Sequence, residues 1–182
     1  NHGQIYSGRA LEFDGVTDRL EFTQTETLEE CTAVAWVKAY AVDGGRMNIW
    51  DGNNAPSYFS TNNDDFVVYI GDGWLTSAKT LEINTWYRVV FIFKKNGSAG
   101  DYKLYINGVE DTAGDFPATE DGTYTNGYFD GIGSVSSTQR FWNGAMTDMQ
   151  VWNTSWSADD VTYDYLNPES LALNRGGTSL TE

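Results

Sequence analysis

The sequence predicts an all-β fold, a two-sheet antiparallel β-sandwich closed by one short C-terminal helix. Three observations predict it. Apolar residues recur with period two along most of the chain, as half-buried strands require. The chain carries 7 Trp, 11 Tyr and 9 Phe, side chains that suit a pleated surface. Its 19 glycines fall largely between these runs, where turns need them, and there are only 3 prolines.

The elements follow in order. Leu11 and Phe13 share one face of a strand at Ala10–Phe13, and Leu20 and Phe22 share one at Arg19–Phe22. Thr32–Tyr40 sets Val34, Trp36 and Lys38 against Ala33, Ala35 and Val37. Phe66–Ile70 is a short apolar run. Trp86–Lys94 is apolar on both faces, which predicts a central strand covered on each side. Tyr102–Ile106 and Val109–Thr112 flank Asn107-Gly108, the signature of a type I′ hairpin turn. Further strands are expected at Tyr128–Ile132 and Ala145–Trp152. Ser157-Ala158-Asp159-Asp160 has the form of a helix N-cap with acids in the first turn. That helix should stop before Asn167-Pro168.

The 182 residues fit one domain, expected at 1–176, with 177–182 as a tail or linker. Cys31 is the single cysteine, so no disulfide forms within the chain, and it reads as a small buried apolar side chain. Acids outnumber bases by 26 to 11, a net charge of −15. Such a chain repels phosphate backbones, which argues against nucleic acid as a partner. No apolar run reaches the roughly 20 residues of a membrane span, so no membrane insertion is expected.

Catalytic chemistry is sparse. His2 is the only histidine and lies near a chain end, which excludes histidine-based triads and multi-histidine zinc sites. Paired carboxylates could still cleave a glycosidic bond. Some β-sandwich glycosidases carry theirs on one strand as E-x-D-x-x-E, and the nearest resemblance is Glu12-Phe13-Asp14, with Thr17 in place of the second glutamate. The chain therefore reads as non-catalytic.

Four separated segments resemble one family. Ala10-Leu11-Glu12-Phe13-Asp14-Gly15, with its return through Leu20-Glu21-Phe22, is similar to the opening hairpin of laminin-G-like, concanavalin A-like lectin domains. Thr32-Ala33-Val34-Ala35-Trp36-Val37-Lys38 resembles the family's S-A-W-V-K strand. Trp86-Tyr87-Arg88-Val89-Val90 and Leu104-Tyr105-Ile106-Asn107-Gly108 match its central pair. Phe141-Trp142-Asn143-Gly144, running on to Asp148 and Trp152-Asn153, resembles the closing stretch shared with pentraxins. The resemblance implies a jelly-roll, concanavalin A-like sandwich. The segment from Asp43 to Leu81 matches none of the family's motifs.

Calcium is the expected cofactor. Asp14 and Asp18 share a tight turn that Gly15 relaxes, and hard carboxylate and carbonyl oxygens suit this ion. The resemblance implies a further acid from the closing strand, and Asp148 is the matching residue. The simpler alternative is that Asp14 caps its own turn.

A glycan or polysaccharide is the leading expected partner. Sugars present apolar C–H faces and hydroxyl edges, which aromatic rings and Asn or Asp side chains complement. The unmatched segment holds that mixture in Trp50, Asp51, Asn53, Asn54, Tyr58, Asp72 and Trp74, with Trp142 as a further candidate. Trp50 and Trp74 could equally be core, whereas Trp36, Trp86 and Trp152 sit inside regular strand patterns and should be core. The expected setting is extracellular: secreted, or on a cell or virion surface. The alternative is a structural or adhesion domain that binds other chains or domains of a larger surface or virion protein. A polysaccharide-active enzyme is a third reading.

Overall fold

The computed structural model describes residues 10–23, 28–42, 45–52, 58–69, 74–121, 129–134 and 139–168. They form two antiparallel sheets and one helix. The strands are β1 (Leu11–Asp14), β2 (Leu20–Glu21), β3 (Glu30–Ala39), β4 (Arg46–Asp51), β5 (Tyr58–Asn62), β6 (Asp65–Tyr69) and β7 (Trp74–Thr80). There follow β8 (Tyr87–Asn96), β9 (Ala99–Ile106), β10 (Val109–Glu110), β11 (Ala118–Asp121), β12 (Gly131–Ile132) and β13 (Asn143–Trp152), and then helix α1 (Ala158–Leu166). One sheet runs β1-β13-β3-β8-β9-β10, with β11 also on β9, and the other runs β2-β12-β4-β5-β6-β7. The expected sandwich with one C-terminal helix is what the chain forms. The expected boundary at 176 lies outside the described residues.

The period-two pattern sorts side chains between the layers. Cys31, Ala33, Ala35 and Val37 of β3 and Tyr87, Val89, Phe91 and Phe93 of β8 face the other sheet. Met47, Ile49, Phe59, Phe66, Val68 and Leu75 meet them from β4 to β7. Cys31 is fully buried, and burial pushes its thiol up to about 12, so it is an inert packing residue. The opposite face of β8 is also covered: Val90 and Ile92 pack with Val34, Tyr105, Trp156 and Val161 under α1. That explains why this strand is apolar on both sides.

Local chemistry places the connections as expected. Asn107 and Gly108 have φ of 54° and 79°, the left-handed pair that a type I′ turn needs. Ser157 caps α1 through a reciprocal capping box with Asp160. Among the tryptophans expected in the core, Trp36 is buried, but Trp86 and Trp152 are half-buried. Lys38 lies over the Trp86 ring, and Trp152 packs against Trp156.

The strand β11 went unread in the sequence, and so did three elements that fall in the segment without a family motif: β4, β5 and β7. These three form a meander with β6 and build most of the six-stranded sheet. Asn63, at φ 56°, supports the two-residue turn between β5 and β6.

Candidate functional site

The two outer faces of the sandwich differ. Trp156, just before helix α1, and Val161 within it cover part of the seven-stranded sheet. The outer face of the six-stranded sheet instead carries polar and aromatic groups. Register defines its rows. One row crosses all six strands through Glu21, Gly131, Asp51, Tyr58, Tyr69 and Trp74. The next holds Asn48, Ser60, Val67 and Thr76, and a third begins Arg46, Asn62, Asp65. Val67 is only 1% exposed yet stands outside the apolar core, as its outward position requires.

These side chains are held firmly. The Tyr69 and Trp74 rings lie 4.8 Å apart. The Arg46 guanidinium stacks over Trp74, 3.8 Å from the ring centroid. Arg46 and Trp74 stand three strand spacings and two rows apart, about 20 Å on a flat sheet. Their contact therefore closes over Ser60 and Val67, which explains the burial of both. Beneath it, Ser60 Oγ donates to Asn48 Oδ1 at 2.7 Å, and Asn48 Nδ2 donates to Asp51 Oδ1 at 3.4 Å. Desolvation, reinforced by the neighbouring Asp130, pushes the Asp51 carboxyl up to about 7. Asp130 is raised as well, mainly by burial. Gly131 keeps this corner open: a Cβ there would sit 3.3 Å from that of Asp51. Arg140 completes the group. Its carbonyl accepts from Asn48 N at 3.0 Å, which fixes it beside β4, and its backbone is left-handed at φ 62°.

The structure thus brings Asp51, Trp74 and the backbone of Tyr58 onto one row. It corrects two other expectations. Trp50 is 3% exposed and packs edge-on against Phe22 and beside Phe129, because the irregularity between Asn48 and Trp50 turns its ring inward. Trp142 is fully buried in the same core. Neither ring can meet a ligand. Asn53, Asn54 and Asp72 lie outside the described residues. Sequence reading missed Arg46, Asn48, Ser60, Tyr69 and Arg140. The alternation of Met47 and Ile49 with Asn48 could have revealed β4, but no local signal places Arg140 beside it.

The expected metal ligands do not come together. Asp14 Oδ1 accepts from the backbone N–H of Val16 at 2.8 Å, Thr17 at 2.7 Å and Asp18 at 3.1 Å, and its Oδ2 accepts from Thr17 Oγ1 at 2.8 Å. Those bonds hold the Asp14 carboxyl well below the usual carboxylate range. Asp18 Oδ2 accepts from Asp14 N at 3.0 Å. Gly15, at φ 77°, makes the turn, and a Cβ there would fall 2.9 Å from Asn143 Cβ. Asp14 pairs with Asn143, so Asp148 lies five residues further along β13, roughly 16 Å away. Asp148 pairs instead with Arg88 at 2.8 Å. Among the described residues no group of three or more His, Cys, Asp or Glu is placed to hold a metal. The set of Asp14, Gly15, Asp18 and Asp148 does not fit calcium, and the turn is self-capped.

Two antiparallel sheets, one backed by a helix and one bearing a polar and aromatic face, define a lectin-type sandwich. The family model for the concanavalin A-like lectin/glucanases superfamily, of the laminin G kind, matches residues 14–162. The chain belongs to this superfamily.

Solved structures agree at the level of the fold. The heptameric SAP-like pentraxin of Limulus polyphemus superposes with a TM-score of 0.63 at 17% identity, covering 85% of this chain and 80% of that one. The CBM40 of the Ruminococcus gnavus IT-sialidase, bound to α2,3-sialyllactose, gives 0.56 at 16% identity, covering 84% and 96%. The Trypanosoma rangeli sialidase gives 0.63 at 15% identity, covering 88% of this chain and 28% of the enzyme. No curated protein matches the chain by sequence. No helix among the described residues is long and apolar enough to cross a membrane.

Proposed function

We propose that the chain is a non-catalytic carbohydrate-binding module that takes a glycan across the outer face of its six-stranded sheet. The observation that carries this reading is the row through Asp51, Tyr69 and Trp74, with Arg46 stacked on Trp74. Half-buried rings offer a surface for the C–H face of a sugar, and fixed polar groups beside them suit its hydroxyls. The sugar-binding relatives of the same fold support the reading. An extracellular or surface setting, where polysaccharides are met, is part of it.

The reading separates binding from turnover. Asp14 is tied into its own turn and cannot serve as an acid. Asp51 and Asp130 are the raised pair on this face, but Asp51 is 7% exposed and already engaged by Asn48. Soluble polysaccharides should quench tryptophan fluorescence without releasing reducing ends. Trp74→Ala should abolish the quenching while the fold survives. Quenching that persists in Trp74→Ala would move the site elsewhere.

A second reading, a structural or adhesion domain that binds protein, has its own observation. Leu11, Val16, Leu20 and Phe22 are 51%, 66%, 44% and 39% exposed along the β1–β2 connection. An apolar edge of this kind suits a neighbouring chain. A concentration-dependent oligomer on sizing, broken by Val16→Asp, would favour it. A monomer at all concentrations would count against it.

A further inference from the structure

We infer that Arg46 gates the saccharide face: in the free protein its guanidinium occupies the Trp74 ring, and a sugar must displace it to bind. This rests on the glycan-binding reading above and adds the regulation of that site.

Arg46 and a sugar compete for one space. The guanidinium lies 3.8 Å from the Trp74 centroid, in van der Waals contact with the face of the indole. A saccharide that lays its C–H face on that indole needs the same volume. The Tyr69 ring, 4.8 Å from that of Trp74, already flanks it. The covered face is closed to a ligand while Arg46 stays in place.

The stack also hides hydrogen-bonding groups. Trp156 and Val161 cover the other sheet, yet Asn48 and Ser60 are 0% exposed on this outer face. By register, the line from Arg46 to Trp74 crosses their row between Ser60 and Val67. Asn48 Nδ2 reaches Asp51 Oδ1 only at 3.4 Å, a long hydrogen bond that a sugar hydroxyl can replace. Ser60 Oγ donates to Asn48 Oδ1 at 2.7 Å and keeps lone pairs to accept with. Withdrawal of Arg46 uncovers both groups beside the freed ring.

The latch is weak enough to open. Among the described residues no carboxylate forms an ion pair with Arg46. Its backbone is fixed opposite Asn62 in the β4–β5 ladder, so only the side chain has to swing. Rotamer changes of exposed side chains are fast, and the freed guanidinium regains water. A cation–π stack favours the closed state about fivefold to thirtyfold, and the apparent affinity for a ligand of the open state falls by the same factor.

A glycan array probed with wild type and Arg46→Ala, followed by calorimetric titration of the best hit, tests the inference. Arg46→Ala should bind about tenfold more tightly than wild type. Arg46→Lys keeps the charge but not the planar group, and should gain less. A readout in the wild type alone comes from proton NMR. The Trp74 ring current should shift the Arg46 side-chain protons upfield in the free protein, and saturation with the saccharide should abolish that shift. Equal or weaker binding by a folded Arg46→Ala, or an upfield shift that survives saturation, overturns the gate while glycan binding stands. Silence of both proteins across the whole array overturns the gate and the glycan reading together.

Discussion

Arg88 meets Asp164 through two parallel hydrogen bonds, Nε to Oδ2 at 2.7 Å and Nη2 to Oδ1 at 2.8 Å, with both residues fully buried. The same guanidinium reaches Asp148 on β13 and lies beneath Trp36. One side chain of β8 thereby ties α1 and the closing strand to the seven-stranded sheet. Removing one partner of a buried pair strands a charge. Asp164→Ala should cost about 3–5 kcal/mol in urea denaturation. The apolar pair Arg88→Met with Asp164→Leu should recover much of that loss. A loss under 1 kcal/mol for Asp164→Ala would mean that water reaches the pair.

The capping box of α1 makes a smaller, separate contribution. Ser157→Ala removes the acceptor for Asp160 N and should cost about 1 kcal/mol. Ser157→Asp, which keeps an acceptor there, should cost much less. Equal losses in chemical denaturation would show that the cap is not what stabilises this end.

Asp51 gives stability a pH dependence. Its carboxyl is raised from 3.8 to about 7, chiefly by burial. Between those values the folded chain holds a proton that the unfolded chain has released. Stability from this group is therefore present at low pH and falls as pH rises from about 4 to about 7, then levels. Asp130 acts in the same direction. Asp51→Asn should flatten the profile of melting temperature over that window and leave the variant more stable than wild type at pH 8. A wild-type profile that rises through the window would show that Asp51 titrates as an ordinary carboxylate.

The Asp14 turn should behave as a capped loop. Asp14→Asn weakens the acceptor for three backbone N–H groups and should lower the melting temperature. The drop should be the same in calcium as in chelator. A drop seen only in calcium would restore the metal that these hydrogen bonds argue against.

Much of the sandwich was legible from sequence because two cues agreed. In β8, alternation and coverage on both faces point to one central strand. In β9 and β10, Asn107-Gly108 fixes the hairpin register. The six-stranded sheet was harder to read. Met47 and Ile49 alternate correctly, but the irregularity before Trp50 breaks the period and turns that ring into the core. Trp142 is followed at once by Asn143-Gly144, a local turn signal, yet the start of the closing strand carries it inward. Period-two reading assigns faces only while the period holds. The Arg46–Trp74 contact joins residues 28 positions apart across two strands, and nothing in the local sequence announces it.

Hydrogen–deuterium exchange with and without a bound polysaccharide tests the central claim most directly. The account predicts new protection confined to β4–β7 and the segment around Arg140. Protection along β1 and β2, or over α1 and the seven-stranded sheet, would contradict it.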